Sequence, residues 1–197
     1  MLTFILGGAR SGKSELATKL AAASGRDVLF VATMRELDDE MRSRVTAHRA
    51  ARPSAWRTIE APTDLLGALR EHAKGGEFIV VDCLTVWIAN VLMDALPDPD
   101  AASVDEADAV LDDIAMGARE LCDWASAHDG GVAIVSNEVG SGVVPAYRLG
   151  RLFRDATGSA NKMVAAGSDR AYYVVAGVVL DLRALAMPID AVAGDAQ

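Results

Sequence analysis

Short runs that are apolar at nearly every position alternate along the chain with longer stretches in which apolar residues return every three or four places. The runs at residues 3–6, 28–32, 56–59, 78–82, 132–136 and 172–176 are rich in β-branched and aromatic side chains, which predicts strands. A strand with one face in water alternates apolar and polar positions, whereas these runs mostly do not. They are the pattern of strands covered by helices on both faces. A last strand or hairpin is expected at 178–182. Helices are predicted at 13–24, 37–51, 63–73, 84–95, 104–127 and 148–166. The helix at 104–127 has the clearest start, because Ser103 and Glu106 have the spacing of a capping box. Val110, Leu111, Ile114, Ala118, Leu121, Cys122 and Ala125 then recur on one of its faces. The order of elements predicts an α/β fold with a mostly parallel central sheet.

With 197 residues and no convincing internal repeat or linker, the expectation is a single domain spanning 1–197. Half of the residues are apolar (51%), which suits a packed core, yet the longest apolar stretches are too short to cross a bilayer. No basic region precedes the first apolar run, so a secretory signal is not expected and a cytoplasmic location is. Cys83 and Cys122 lack metal-ligand spacing and lie in apolar segments, which predicts two reduced, buried thiols. The three tryptophans, Trp56, Trp87 and Trp124, read as core or interface residues. A formal net charge of -9 repels a polyanion at long range and argues against general nucleic-acid binding.

The sharpest chemical signal is Gly7, Gly8, Ala9, Arg10, Ser11, Gly12, Lys13 and Ser14, a G-x-x-x-x-G-K-[ST] motif between the first strand and the first helix. Glycines let the backbone wrap phosphate oxygens, and the amides of the helix N-terminus face the anion. Lys13 reaches the β and γ phosphates, and Ser14 is a candidate ligand for Mg²⁺. A magnesium nucleotide also needs a carboxylate on a neighbouring strand, and Asp82 ends the run at 78–82. Its rival reading is the N-cap of the helix at 84–95. The loops at Ala32, Thr33 and Met34 and at 136–142 open on the same side. Glu138, in the second of them, reads either as a group that orients or deprotonates an attacking hydroxyl or as a solvated loop carboxylate or salt-bridge partner.

Met41, Val45 and His48 form a stripe on the predicted second helix, with Arg44 and Arg52 one turn to either side of the histidine. From these residues alone two readings stay open. His48 is either half-covered structural packing or a nucleophile that attacks phosphorus, with the arginines stabilising the phosphate charge.

Several segments together resemble the bifunctional adenosylcobinamide kinase and adenosylcobinamide-phosphate guanylyltransferase family of cobalamin biosynthesis. They are the phosphate loop, Asp38 to Met41, His48 to Pro53 with Trp56 to Glu60, Val81 to Thr85, Ser136 to Gly140, and Arg151 to Asp155. The resemblance covers nearly the whole chain. It implies a P-loop NTPase of RecA-like fold, assembled as a homotrimer, that phosphorylates adenosylcobinamide with a nucleoside triphosphate, GTP or ATP. It implies a second transfer in which GTP forms a GMP-histidine intermediate and adenosylcobinamide phosphate takes the GMP to give adenosylcobinamide-GDP. By position, His48 resembles the guanylylated nucleophile. Gly7 to Ser14, Ala32, Thr33, Met34, Arg49, Ala50, Ala51, Arg52, Glu60 and Asp82 resemble nucleotide-contacting positions, with Ser14 and Asp82 toward Mg²⁺. The chain departs from the family at Lys162, where Gln is more common, and at Ala176 to Val179, which lacks a proline, both read as lying away from the chemistry. The competing readings are a simple P-loop small-molecule kinase without nucleotidyl transfer and a nucleotide-dependent switch.

Overall fold

The computed structural model describes residues 1–35 and 52–187. Seven strands form one sheet: β1 (Leu2–Gly7), β2 (Val28–Ala32), β3 (Arg57–Glu60), β4 (Phe78–Asp82), β5 (Val132–Asn137), β6 (Arg170–Val175) and β7 (Val178–Asp181). Their order across the sheet is β3-β2-β4-β5-β1-β6-β7, and every neighbouring pair is parallel except β6 and β7. The helices are α1 (Lys13–Ala23), α2 (Leu65–His72), α3 (Leu84–Ala95), α4 (Val104–Ala127), α5 (Arg148–Gly167) and the short α6 (Leu182–Leu185).

The continuous apolar runs are explained by two-sided burial. Leu2, Phe4, Leu29, Val31, Ile79, Val81, Val132 and Ile134 pack into one core with α2, α3, α4 and α5. The residues between them, including Ile5, Phe30, Val80 and Ala133, pack on the other face against Ala17 and Ala21 of α1. Successive strand side chains therefore feed two cores, and a polar residue would be misplaced on either face. Trp87 is buried, its indole N–H donating to the Thr63 carbonyl at 2.6 Å, and Trp124 stacks on His128 with ring centroids 5.3 Å apart. Both free cysteines are buried.

The expected capping box is present. The Ser103 hydroxyl accepts from the Glu106 N–H at 3.1 Å, while the Glu106 carboxylate accepts from the Ser103 N–H at 2.7 Å. The helices at 84–95 and 104–127 match the sequence reading, whereas the predicted helix at 37–51 lies outside the described residues. β6 ends one residue earlier than expected, because Ala176 (φ 49°) and Gly177 (φ 81°) make a two-residue hairpin turn. Positive φ at both turn positions suits the right-handed twist of the two strands. Nor was α6 expected; the Asp181 carboxylate caps it, accepting from the Arg183 and Ala184 N–H groups. Among the described residues, no helix is long and apolar enough to cross a membrane.

Candidate functional site

Residues 8–12 link β1 to α1, and Gly12 turns the chain into the helix with φ 104°. That left-handed value costs most residues a steric penalty that glycine avoids. No side chain caps α1, so its leading N–H groups and the positive end of its dipole face the space above the sheet. Gly7 serves close packing instead. A Cβ there would lie 2.3 Å from the Val174 carbonyl oxygen of β6 and 2.9 Å from Ser11 Oγ. The Lys13 side chain folds back over the loop, with Nζ donating to the Gly8 carbonyl at 2.5 Å and 3.5 Å from Ser11 Oγ. Only 6% of Lys13 is exposed, and burial lowers the pKa of its ammonium while the Asp82 carboxylate opposes that shift.

Above the C-terminal ends of the strands is a cavity of about 510 Å³. Ala9, Arg10, Ser11, Gly12, Lys13 and Ser14 form one wall. Ala32 and Met34 from the end of β2, and Asp82 from the end of β4, form another. Arg52 and Glu60 complete it near β3, and the Arg52 guanidinium carbon lies 3.4 Å from the centroid of the Phe30 ring. This cation–π contact holds the arginine against a rigid aromatic at the rim. Lys13, Arg10 and Arg52, with oxygen-bearing side chains between them, thus surround a space open to a polyanionic ligand.

Three sequence expectations need correction. Asp82 was assigned to a strand beside the phosphate-loop strand, yet β5 lies between β4 and β1. The carboxylate still lines the cavity, because all three strands end on the same side. Asp82 is not the N-cap of α3 either: Cys83 takes that position, after a cis Asp82–Cys83 peptide bond. Thr33 does not line the cavity. It is fully buried, its hydroxyl donates to the Cys83 carbonyl at 2.8 Å and accepts from the Cys83 N–H at 2.8 Å, and its own N–H donates to the Asp82 carbonyl. It ties the end of β2 to the end of β4. Between the readings of Glu138, the geometry favours the loop carboxylate: it accepts from the Gly140 N–H at 2.5 Å and does not line the cavity. His48, Arg49, Ala50 and Ala51 lie outside the described residues.

Sequence reasoning put Asn137 in a loop opening on the phosphate side but gave it no role; it is the last residue of β5 and lines the cavity with the phosphate loop and Asp82. Its signal is a polar residue closing an apolar strand, and it gains meaning only once β5 is known to lie beside β1. Cys83 also reaches the cavity, but burial, with help from the Asp82 charge, pushes its thiol up to about 12. It is therefore a neutral packing group and not a nucleophile at physiological pH.

A family model described as cobinamide kinase / cobinamide phosphate guanyltransferase matches residues 3–182. The chain is 41% identical over 184 residues to the bifunctional adenosylcobalamin biosynthesis protein CobP of Pseudomonas aeruginosa, an alignment covering 93% of this chain and 98% of that protein. It is 36% identical over 185 residues to the bifunctional adenosylcobalamin biosynthesis protein CobU of Escherichia coli, covering 93% of this chain and all (100%) of that one. Among solved structures, an ATPase from the type III secretion system of pathogenic bacteria superposes with a TM-score of 0.51 at 12% identity, over 96% of this chain and 60% of that one. That likeness concerns the fold alone, and the fold is the P-loop, RecA-like α/β arrangement.

Proposed function

We propose, because the chain belongs to the cobinamide kinase / cobinamide phosphate guanyltransferase family, that it carries out both transfers in one active site. In the first, the aminopropanol hydroxyl of adenosylcobinamide attacks the γ phosphorus of a nucleoside triphosphate, the bond to the β-phosphate oxygen breaks, and the hydroxyl proton leaves to solvent or a base. In the second, a ring nitrogen of His48 attacks the α phosphorus of GTP and expels pyrophosphate. A phosphate oxygen of adenosylcobinamide phosphate then attacks the same phosphorus, the P–N bond breaks, and adenosylcobinamide-GDP leaves with the histidine restored. A covalent intermediate divides one difficult exchange into two displacements with different acceptors.

The observation that carries this reading is the convergence of the phosphate loop, Lys13, Asp82 and Arg52 on one cavity. Lys13 and the α1 amides hold the β and γ phosphates, and Arg52 adds positive charge at the rim. Ala32, Met34 and Glu60 line the cavity and are assigned to the nucleotide; Arg49, Ala50 and Ala51 are assigned to it by their place in the family motif alone. Mg²⁺ fits the donor set: Ser14 and Asp82 line the cavity together and are hard oxygen ligands. Few protein ligands suffice for a metal that keeps waters and phosphate oxygens. When bound, it neutralises charge on the phosphates; the chain's own part is to hold the hydroxyl of Ser14 and the carboxylate of Asp82 toward it. The same reading includes a single catalytic domain spanning 1–197, a cytoplasmic location and the homotrimer that the family resemblance implies.

The test is incubation of the purified protein with Mg²⁺ and GTP labelled at the α phosphate, beside His48→Ala and a γ-labelled control. Covalent label from the α position alone, stable to base, lost in acid and absent from His48→Ala, is the expected result. Active protein that never acquires label would reduce the function to that of a simple kinase.

A further inference from the structure

Asn137 is held by a closed ring of hydrogen bonds that does not use its side chain. Its backbone N–H donates to Thr85 Oγ1 at 2.6 Å, and Thr85 Oγ1 lies 2.9 Å from Ser136 Oγ. Ser136 donates to Asn161 Oδ1 at 2.6 Å, and Asn161 Nδ2 donates to the Asn137 carbonyl at 3.0 Å. Because Ser136 spends its one proton on Asn161, the Thr85 hydroxyl donates to Ser136, and every bond runs the same way round the ring. Thr85, Ser136 and Asn161 are all buried. In low-dielectric surroundings such a ring polarises cooperatively, and breaking any member strands a buried polar group.

The ring joins the first turn of α3, the tip of β5 and the middle of α5. Thr85 follows Asp82 by three residues, so the same ring fixes Asn137 relative to the carboxylate at the end of β4. On its other side Asn137 is in register with Gly7, where the phosphate loop begins. A purely structural ring would account for Thr85, Ser136 and Asn161, whose polar groups it consumes. It does not account for Asn137, a residue that lines the cavity and whose carboxamide makes no hydrogen bond among the described residues. A neutral amide placed there offers an N–H donor to phosphate oxygens without the repulsion a carboxylate would bring.

We infer that Asn137 is a catalytic residue of the kinase step, donating from its amide to the γ-phosphoryl group in transfer, and that Thr85 is a positioning residue acting through it. This rests on the kinase reading above. The experiment measures single-turnover transfer from γ-labelled nucleotide to adenosylcobinamide, nucleotide Kd and Tm, for Asn137→Ala, Asn137→Asp, Thr85→Val, Thr85→Ser and the double variant Asn137→Ala/Thr85→Val. Asn137→Ala leaves the ring intact, so its Tm is expected to stay close to wild type. Its transfer rate is expected to fall about 30-fold with Kd changed by less than about threefold, and Asn137→Asp is expected to be at least as slow. Thr85→Val is expected to slow transfer about tenfold and Thr85→Ser to restore it, while the double variant is no slower than Asn137→Ala alone. An Asn137→Ala rate within threefold of wild type, or a double variant slowed by the product of the two single effects, would overturn the inference. A wild-type protein that binds nucleotide but transfers no label would overturn the kinase reading as well, which separates the two failures.

Discussion

The backbone N–H of Gly177 donates to the Ser11 carbonyl at 2.9 Å, so the turn of the β6–β7 hairpin grips the middle of the phosphate loop. Gly7 and Gly12 lie close to the same hairpin, beside Val174 and Gly177. The Ala176 to Val179 segment, which the sequence reading set apart from the chemistry, therefore buttresses the site.

Gly177→Val tests that buttress. A Cβ at Gly177 meets no heavy atom within 4 Å, so its cost is conformational: a β-branched residue at φ 81° is strained, and the turn relaxes away from Ser11. Nucleotide Kd is expected to rise about fivefold or more, with a Tm loss of a few degrees, while Gly177→Asn, which tolerates the left-handed region, stays near wild type. Equal nucleotide affinity in the valine variant would show that the loop holds its shape without the hairpin.

Cys83 offers a chemical check on the reading of the cavity wall. Its thiol is pushed up to about 12 and that of Cys122 to about 11, in both cases chiefly by burial. The thiolate is the reactive form, so iodoacetamide at pH 8 is expected to label native protein at least a hundredfold more slowly than protein unfolded in guanidinium. Labelling should quicken as pH rises toward those values, followed by intact mass. Rapid labelling of native Cys83 at pH 8, with loss of nucleotide binding, would show an exposed and functional thiol.

Contiguous signals were legible in the chain because one local structure uses all their residues. The phosphate loop runs unbroken from Gly7 to Ser14, and the strand ending in Asp82 was bounded correctly because both its faces are apolar. What depends on strand order was not legible: no local pattern says that β5 inserts between β1 and β4, and the place of Asn137 follows from that insertion. Thr33 shows a smaller error of the same kind. Ala32 and Met34 line the cavity and the residue between them turns inward, as an extended chain alternates, so grouping all three as ligand contacts ignored the period of two. The last strand was expected at 178–182 and β7 lies at Val178–Asp181, but the preceding strand was run one residue too far because Ala176 adopts a positive φ that its residue type does not announce.

The capping box of α4 carries a pH dependence whose sign follows from its hydrogen bonds. The Ser103 N–H and then the Ser103 hydroxyl donate to the Glu106 carboxylate and hold its pKa below the ordinary value of 4.5. A folded-state pKa lower than the unfolded one means that the charged form stabilises the fold. That contribution is complete above about pH 4.5 and disappears as pH falls through the folded value. Glu106→Gln keeps a hydrogen-bonding side chain at the third helical position and removes only the charge, which also favours the helix N-terminus. At pH 7 it is expected to lower Tm by about 1 °C, and Ser103→Ala, which loses the cap itself, by about 3 °C. In a thermal series from pH 7 to pH 3, the gap between wild type and Glu106→Gln should close as the wild-type carboxylate protonates. A gap that stays constant across that range would mean that the charge contributes nothing and that the geometry of the box alone starts the helix.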